Sequence, residues 1–335
     1  MHFSRRKFIH SSLAAGAGLS LMQVPFAKAG RADGKRVGII GLDTSHSVAF
    51  VKALNAEQPD TAYDGFRVTA AYPYGSKDIE SSAKRIPGYI EEVKKMGVEI
   101  SGSIQDVLAK SDYILLETND GRLHLQQALE VFKAGKKMFI DKPVAGSLSD
   151  TLAIYEASKK YKIPVFSASS LRYIKGLEGI DKAKVLGADT YSPATLEKTH
   201  PDLYWYGIHG VETLYTVMGT GCKSVTRVST PDTDIVVGIW ENGRTGTFRG
   251  TRTGKHDYGG TVFTEDGNKT LGPYAGYEPL LVDIIKYFKT GEMPVTPEET
   301  IEIFAFMEAA DESKRQGGKS VTLESVLAKA RKKSS

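Results

Sequence analysis

The chain has a single cysteine, Cys222, in 335 residues. An internal disulfide is therefore excluded, and so is a metal site built from several thiolates. Acidic residues are missing from residues 1–29, where Arg5, Arg6, Lys7 and Lys28 carry the whole formal net charge of +4. With those four set aside, the 44 basic residues fall to 40, equal to the 40 acidic ones. No excess charge is left to draw the folded protein onto nucleic acid or an anionic membrane. No apolar run reaches the length of a stable bilayer span; the stretch 13–24 is short and rich in Gly, Ala and Ser. Internal repeats are absent, and low complexity is confined to the Lys/Ser tail at 332–335. The remaining composition, 41% hydrophobic and 25% charged, is that of a globular chain rather than a disordered or fibrous one. The length suits two domains.

What the N-terminus does contain is an address. Ser4-Arg5-Arg6-Lys7-Phe8-Ile9 has the form of a twin-arginine export signal, followed by the weakly apolar stretch, Pro25 and the small-x-small site Ala27-Lys28-Ala29. That order predicts cleavage after Ala29, a mature chain starting at Gly30 with no stable membrane anchor, and a periplasmic or otherwise extracytoplasmic location reached in the folded state.

From residue 30 to 168, short apolar runs alternate with amphipathic helical patterns. Strands are expected at 36–42, 66–72, 98–100, 113–118, 137–140 and 164–167, with helices near 48–56, 87–96, 104–110, 124–133 and 148–161. Ser103 is placed to cap a helix start, and Gly97 and Gly135 to end one. Nearly all-apolar strands in such alternation predict an α/β domain with a parallel sheet covered on both faces. Residues 169–335 read differently. Strands at 222–229, 233–240 and 246–251, hairpin turns at Asn242-Gly243 and Asp266-Gly267, and helices near 279–289 and 297–315 predict an α+β domain with an open antiparallel sheet. Its last helices are expected to pack back on the first domain.

Val37-Gly38-Ile39-Ile40-Gly41-Leu42, then Tyr113-Ile114-Leu115-Leu116-Glu117-Thr118-Asn119, then Ala134-Gly135 and Lys137-Met138-Phe139-Ile140-Asp141-Lys142-Pro143 stand in order along the chain. Together with Ser170-Leu171-Arg172-Tyr173 and Tyr206-Gly207-Ile208-His209-Gly210-Val211-Glu212, this set resembles the Gfo/Idh/MocA oxidoreductases, whose hallmark is an acid-Lys-Pro tripeptide. The resemblance spans the mature chain. It implies a Rossmann-type first domain, a second domain for substrate and oligomer contacts, NAD or NADP as cofactor, and a homodimer or homotetramer. It also implies cofactor contacts from Gly38, Gly41, Leu42, Asp43, Thr44, Ser45 and His46, from Ser76 and Lys77, from Thr118, Asn119 and His124, and from Asp141 and Lys142.

Three departures stand beside that likeness. With Gly41 as first glycine of the dinucleotide fingerprint, Asp43 and His46 take the second and third glycine positions. A carboxylate there repels pyrophosphate unless it turns away, and Asp43, Thr44 or Ser45 is also suited to cap the helix that follows. After the second strand no acid is placed for ribose hydroxyls; Ser76 and Lys77 tolerate a 2′-phosphate, leaving NAD and NADP both open. The resemblance assigns proton transfer to Lys142 and His209, but puts Trp205 where the family has an Asp. Either Glu212, one turn beyond His209, supplies a carboxylate or the site runs on Lys142 and His209 alone. Tyr204, Trp205 and Tyr206 suit stacking on a sugar face or ordinary core packing, and Arg172 and Tyr173 are candidate substrate contacts. A zinc site from His46, His124, His209 and Glu212 lacks ligand spacing, so no metal site is expected.

Export removes a protein from soluble nicotinamide pools, so a dissociable cofactor is lost after one turnover. The expectation is therefore a tightly bound cofactor and a secondary-alcohol oxidation on a sugar or sugar derivative. A redox-neutral glycosidase, lyase or epimerase that borrows and returns a hydride, and a sugar-binding protein without nucleotide, are the other readings.

Overall fold

The computed structural model describes residues 34–334; the export segment expected at 1–29 lies outside them. Among the described residues no helix is long and apolar enough to cross a membrane. The first half of the chain runs β1 (Arg36–Ile40), α1 (Ser45–Leu54), β2 (Arg67–Tyr72), α2 (Glu80–Ala83), α3 (Ile86–Lys95), β3 (Glu99–Ile100), α4 (Ile104–Lys110), β4 (Tyr113–Leu116), α5 (Gly121–Lys133), β5 (Lys137–Asp141), α6 (Leu148–Tyr161) and β6 (Val165–Ala168). The six strands form one sheet in the order β3-β2-β1-β4-β5-β6, every pair parallel. This is the doubly wound order, and its switch point lies between β1 and β4. Helix starts are set by caps: Ser103 accepts from Asp106 N at 3.1 Å, Asp120 from Arg122 N at 3.0 Å, and Ser147 from Asp150 N at 3.1 Å. Each starts a helix at the carboxyl edge of the sheet or just before a return to it.

The second half runs β7 (Val185–Pro193), α7 (Asp202–Trp205), α8 (Ile208–Met218), β8 (Cys222–Ser229), β9 (Thr233–Trp240), β10 (Thr245–Thr251), β11 (Gly259–Thr264), β12 (Gly267–Leu271), α9 (Glu278–Thr290), α10 (Pro297–Arg315), β13 (Val321–Thr322) and α11 (Leu323–Ser334). Its seven-stranded sheet has the order β12-β11-β7-β10-β9-β8-β13. The antiparallel expectation holds for every pair but one: β7 and β10 are parallel. The chain crosses over through α7 and α8 after β7, so the meander β8–β9–β10 ends beside β7 pointing the same way. One face is covered by α8 and α10, with Trp240, Phe248, Tyr215 and Phe306 buried between. The other exposes Leu186, Tyr191, Val228 and Ile239. α9 returns to the first sheet, where Leu280, Leu281, Ile284 and Phe288 share a core with Val37, Phe66 and Phe166.

Arg227 on β8 fastens the second half. Its guanidinium, fully buried, pairs with Asp234 on β9 at 2.8 Å, with Asp202 on α7 at 2.9 Å and with Asp311 on α10. Three carboxylates around one buried cation fix where α7 sits on the sheet, and α7 carries Trp205. Removing the cation strips the buried Asp311 of its ion pair, while Asp234 keeps Arg252 and Asp202 keeps Lys314. We expect Arg227→Ala to lower the free energy of unfolding by about 3–5 kcal/mol, read as a fall in the urea midpoint against wild type.

Candidate active site

The site forms where the turns after β1, β4 and β5 meet at the carboxyl edge of the first sheet. Gly41 takes φ +97° and a Cβ there would lie 2.4 Å from Thr118 N, so only glycine lets the turn after β1 pass this close to β4. Leu42, buried in the core, donates from its backbone to Pro73 O at 3.0 Å, tying the turn to the end of β2. Asp43 is fully buried. Its Oδ1 accepts from Asn119 N at 2.9 Å, and its Oδ2 is 2.0 Å from where a Cβ on Gly75 would stand. The carboxylate thus sits behind the cavity wall, wedged among three loops. Burial pushes its pKa up to about 6 against hydrogen bonds from the backbones of Asn119 and Ser76. The capping expectation is corrected: Thr44 holds the N-cap position of α1 with no side-chain bond, and Ser45 Oγ instead stands 3.4 Å from Tyr277 Oη.

A cavity of about 310 Å³ opens beside the start of α1, with Thr44, Ser45, His46, Asn119, Lys142 and His209 in its wall. Around it the rings run in an unbroken arc. Trp205 meets Tyr206 at 6.5 Å, Tyr206 meets His209 at 5.8 Å, His209 meets Tyr258 at 5.9 Å, Tyr258 meets Tyr274 at 6.0 Å, Tyr274 meets Tyr277 at 5.9 Å and Tyr277 meets His46 at 4.7 Å. Aromatic edges with hydroxyl tips give a surface that stacks on C–H faces and hydrogen-bonds hydroxyls. Arg85 and Ser81 complete the wall near α1.

His209 is held from behind. Ser169 Oγ lies 2.5 Å from its Nδ1, leaving Nε2 for the cavity. Burial first, then the charge of Lys142, hold its pKa well below the usual histidine range, so the ring is neutral at pH 7. Glu212 does not reach that ring, which corrects the catalytic role assigned to it. Its carboxylate accepts from Arg172 Nε at 2.9 Å and from Ser169 N at 2.7 Å, so it positions the residue that positions His209. Arg172 is likewise committed, bridging Glu212 and Glu299 (2.6 Å), and is no substrate contact in this arrangement. Tyr173 donates to Asp283 at 2.6 Å, and Tyr204 is core, its ring against Phe304.

The remaining expected contacts divide in the same way. Asn119, Lys142, Ser45, Thr44, His46, Trp205 and Tyr206 share the cavity. Asp141 and Thr118 are fully buried and outside its lining, each next in the chain to a lining residue. Gly38 serves packing instead, since a Cβ there would meet Ser111 and Val107 of the α4 segment. His124 is a fully buried structural residue, 2.6 Å from Thr118 O and 3.3 Å from Val144 O. Ser76 is buried and its hydroxyl is spent on Asp78 and Arg122, while Lys77 is exposed and outside the cavity wall. Neither arrangement builds a 2′-phosphate site. Sequence reasoning missed Arg85, Ser81, Thr195 and the three tyrosines Tyr258, Tyr274 and Tyr277. For the last two a signal existed: Gly272-Pro273-Tyr274-Ala275-Gly276-Tyr277 is a turn-rich stretch with aromatics too regular to be idle.

The profile of the Gfo/Idh/MocA oxidoreductases, described as an oxidoreductase family with an NAD-binding Rossmann fold, matches residues 35–169. That match covers the first domain, with the parallel sheet β3-β2-β1-β4-β5-β6. No curated protein matches the sequence. Solved structures extend the likeness over both halves. A probable dehydrogenase from Thermotoga maritima is 19% identical, with a TM-score of 0.69, covering 87% of this chain and 99% of the other. The scyllo-inositol dehydrogenase of Lactobacillus casei, solved with NAD(H) and scyllo-inositol, is 14% identical with a TM-score of 0.68, covering 86% and 99%. The myo-inositol dehydrogenase of the same organism, with NAD(H) and myo-inositol, is also 14% identical with a TM-score of 0.68, covering 86% and 96%.

The matched domain is that of an oxidoreductase family with an NAD-binding Rossmann fold, and the site has groups that fit that cofactor's phosphates. The first turn of α1, with Thr44 as cap, and the Arg85 side chain line one cavity, joining free backbone N–H groups and a guanidinium. Asp43 does not present its carboxylate to them, because it is buried outside the cavity lining. A carboxyl whose folded pKa is raised binds protons that the unfolded chain has lost, so Asp43 makes stability fall as pH rises from about 4 to about 6. Asp43→Asn keeps an oxygen for Asn119 N and cannot ionise. We expect it to unfold at a higher temperature than wild type at pH 8 and at a similar temperature at pH 4, measured by calorimetry.

Proposed function

We propose that this chain is an exported enzyme that oxidises a secondary alcohol on a polyhydroxylated ring, a sugar or sugar derivative, with a nicotinamide cofactor retained through its catalytic cycle. The observation that carries the reading is the pairing of Lys142 with a neutral His209 in a cavity walled by aromatic rings. Solved relatives that bind inositols support the substrate class, and Arg5-Arg6 with its cleavage site supports an extracytoplasmic location.

The nicotinamide, when bound, supplies the hydride acceptor; the protein's share is proton transfer and orientation. The α1 N-terminus and Arg85 would hold the cofactor's phosphates. The rings of Trp205, Tyr206 and Tyr258 sandwich the apolar faces of the substrate and keep bulk water from the reacting carbon. His209, neutral and with Nε2 free, takes the hydroxyl proton, and the Lys142 ammonium stabilises the oxygen as charge builds on it. Arg172 orients Glu212, Glu212 holds the Ser169 backbone, and Ser169 fixes the imidazole. The uncovered face of the second sheet, with Val228 and Ile239 exposed, is the surface for a second copy of the chain.

Protein purified from its own export route and then denatured should release NAD(P), detected by absorbance and mass. A preparation that releases none, and binds none when NAD(P) is added, ends this reading. Lys142→Ala and His209→Ala should each lower kcat on the responsive polyol by about 10²–10⁴-fold while leaving polyol binding by calorimetry near wild type. Val228→Asp with Ile239→Asp should reduce the mass measured by light scattering to that of one chain.

A further inference from the structure

β1, β4 and β5 are neighbours in the first sheet, with Ile40 beside Leu116 and Leu116 beside Ile140. The residues that follow converge. Glu117 leaves β4 with its N–H on Ile40 O at 2.7 Å, Asp141 ends β5, and His46 reaches over from the first turn of α1. One ligand atom from each of the three lies within 4.8 Å of the other two. Glu117 and Asp141 are fully buried, and His46 keeps 7% of its surface.

Apart from an ion pair between His46 and Asp141, the protein leaves these groups without partners. Both oxygens of Glu117, both of Asp141 and Nδ1 of His46 have no hydrogen-bond partner; His46 Nδ1 is 2.9 Å from Asp141 Oδ2 but off the line of a hydrogen bond. Lys142, next in the chain to Asp141, forms no ion pair with either acid among the described residues. Asp43 adds a third buried carboxyl, with one oxygen unpartnered. Two dry carboxylates with four open oxygens cost far more than a folded chain gives up for nothing, unless a cation joins them. A proton on Glu117 with the imidazole paired to Asp141 is the other way to quiet such a pair, and it leaves both Glu117 oxygens without a partner in the protein.

We propose that His46, Glu117 and Asp141 bind one divalent first-row cation beneath the cavity floor. One imidazole and two carboxylates form a three-ligand set of the kind that suits Zn²⁺ or Mn²⁺ and leaves coordination positions open. Donors about 2.1 Å from such an ion stand roughly 3–3.5 Å apart, a contraction that side-chain rotation supplies from the present spacing. His46 is the ligand in the cavity wall, so the open positions face the substrate space beside Lys142. There the cation polarises a substrate hydroxyl or carbonyl oxygen. The site does not depend on the nucleotide reading, and it explains why histidine stands at the third glycine position.

The test uses the full chain without a histidine tag, purified without chelator, beside Glu117→Gln and Asp141→Asn. Wild type should carry about one metal per chain by elemental analysis. After chelation it should rebind Zn²⁺ or Mn²⁺ by calorimetry, with a rise in melting temperature. Each variant should bind about 100-fold more weakly or worse and show no such rise, while melting in chelator at or above wild type because a buried charge is gone. Metal-free wild type whose melting ignores both cations overturns the proposal, as does metal retained undiminished in both variants. NAD(P) released from the same preparation is scored separately, so loss of either result leaves the other readable.

Discussion

Buried charge at the carboxyl ends of parallel strands governs this molecule. A doubly wound sheet directs its strand ends, and whatever side chains follow them, into one crevice, and here the followers of β1, β4 and β5 include Asp43, Glu117 and Asp141. Asp43 is stitched to Asn119 N and seals the loops to one another; Glu117 and Asp141 are left facing His46. The cavity above inherits this field. His209 is kept neutral by burial and by the charge of Lys142.

Support for the chemistry comes from a relay that touches no substrate. Arg172 is ionised by its two acids, Glu212 is drawn onto Arg172 and the Ser169 backbone, and Ser169 Oγ holds the imidazole. A carboxylate that once looked suited to the reaction is instead one step removed from it. The same logic fixes the aromatic wall: Arg227 and its three acids hold α7, which delivers Trp205.

Much of this was legible along the chain. Apolar strand runs and helix caps located nearly every element of the first sheet, with α4 and α6 bounded as expected, and Lys142, His209, Trp205 and Tyr206 were found by order and motif. β7 was missed because Val185–Pro193 mixes Gly, Asp, Thr, Ser and Pro with few large apolar residues, and it becomes a strand only between β10 and β11. Arg172, Tyr173, Tyr204, His124 and Ser76 were read as ligand contacts because their types allow it. Each is occupied by a partner far away in sequence or fixed to nearby backbone, and no local pattern announces such pairings.

By itself the sequence determined the α/β character, the place of the Asp141-Lys142-Pro143 tripeptide at a strand end and the glycine that the β1 turn requires, since these depend on periodicity, propensity and backbone sterics within a few residues. Only the tertiary structure decided which polar groups meet. The turn of Asp43 away from the cavity, the diversion of Glu212 to Arg172, the tyrosines brought in from 258–277 and the gathering of His46, Glu117 and Asp141 all span tens of residues or more. Their energies come from desolvation and Coulomb attraction at a few ångströms, distances that chain order does not encode.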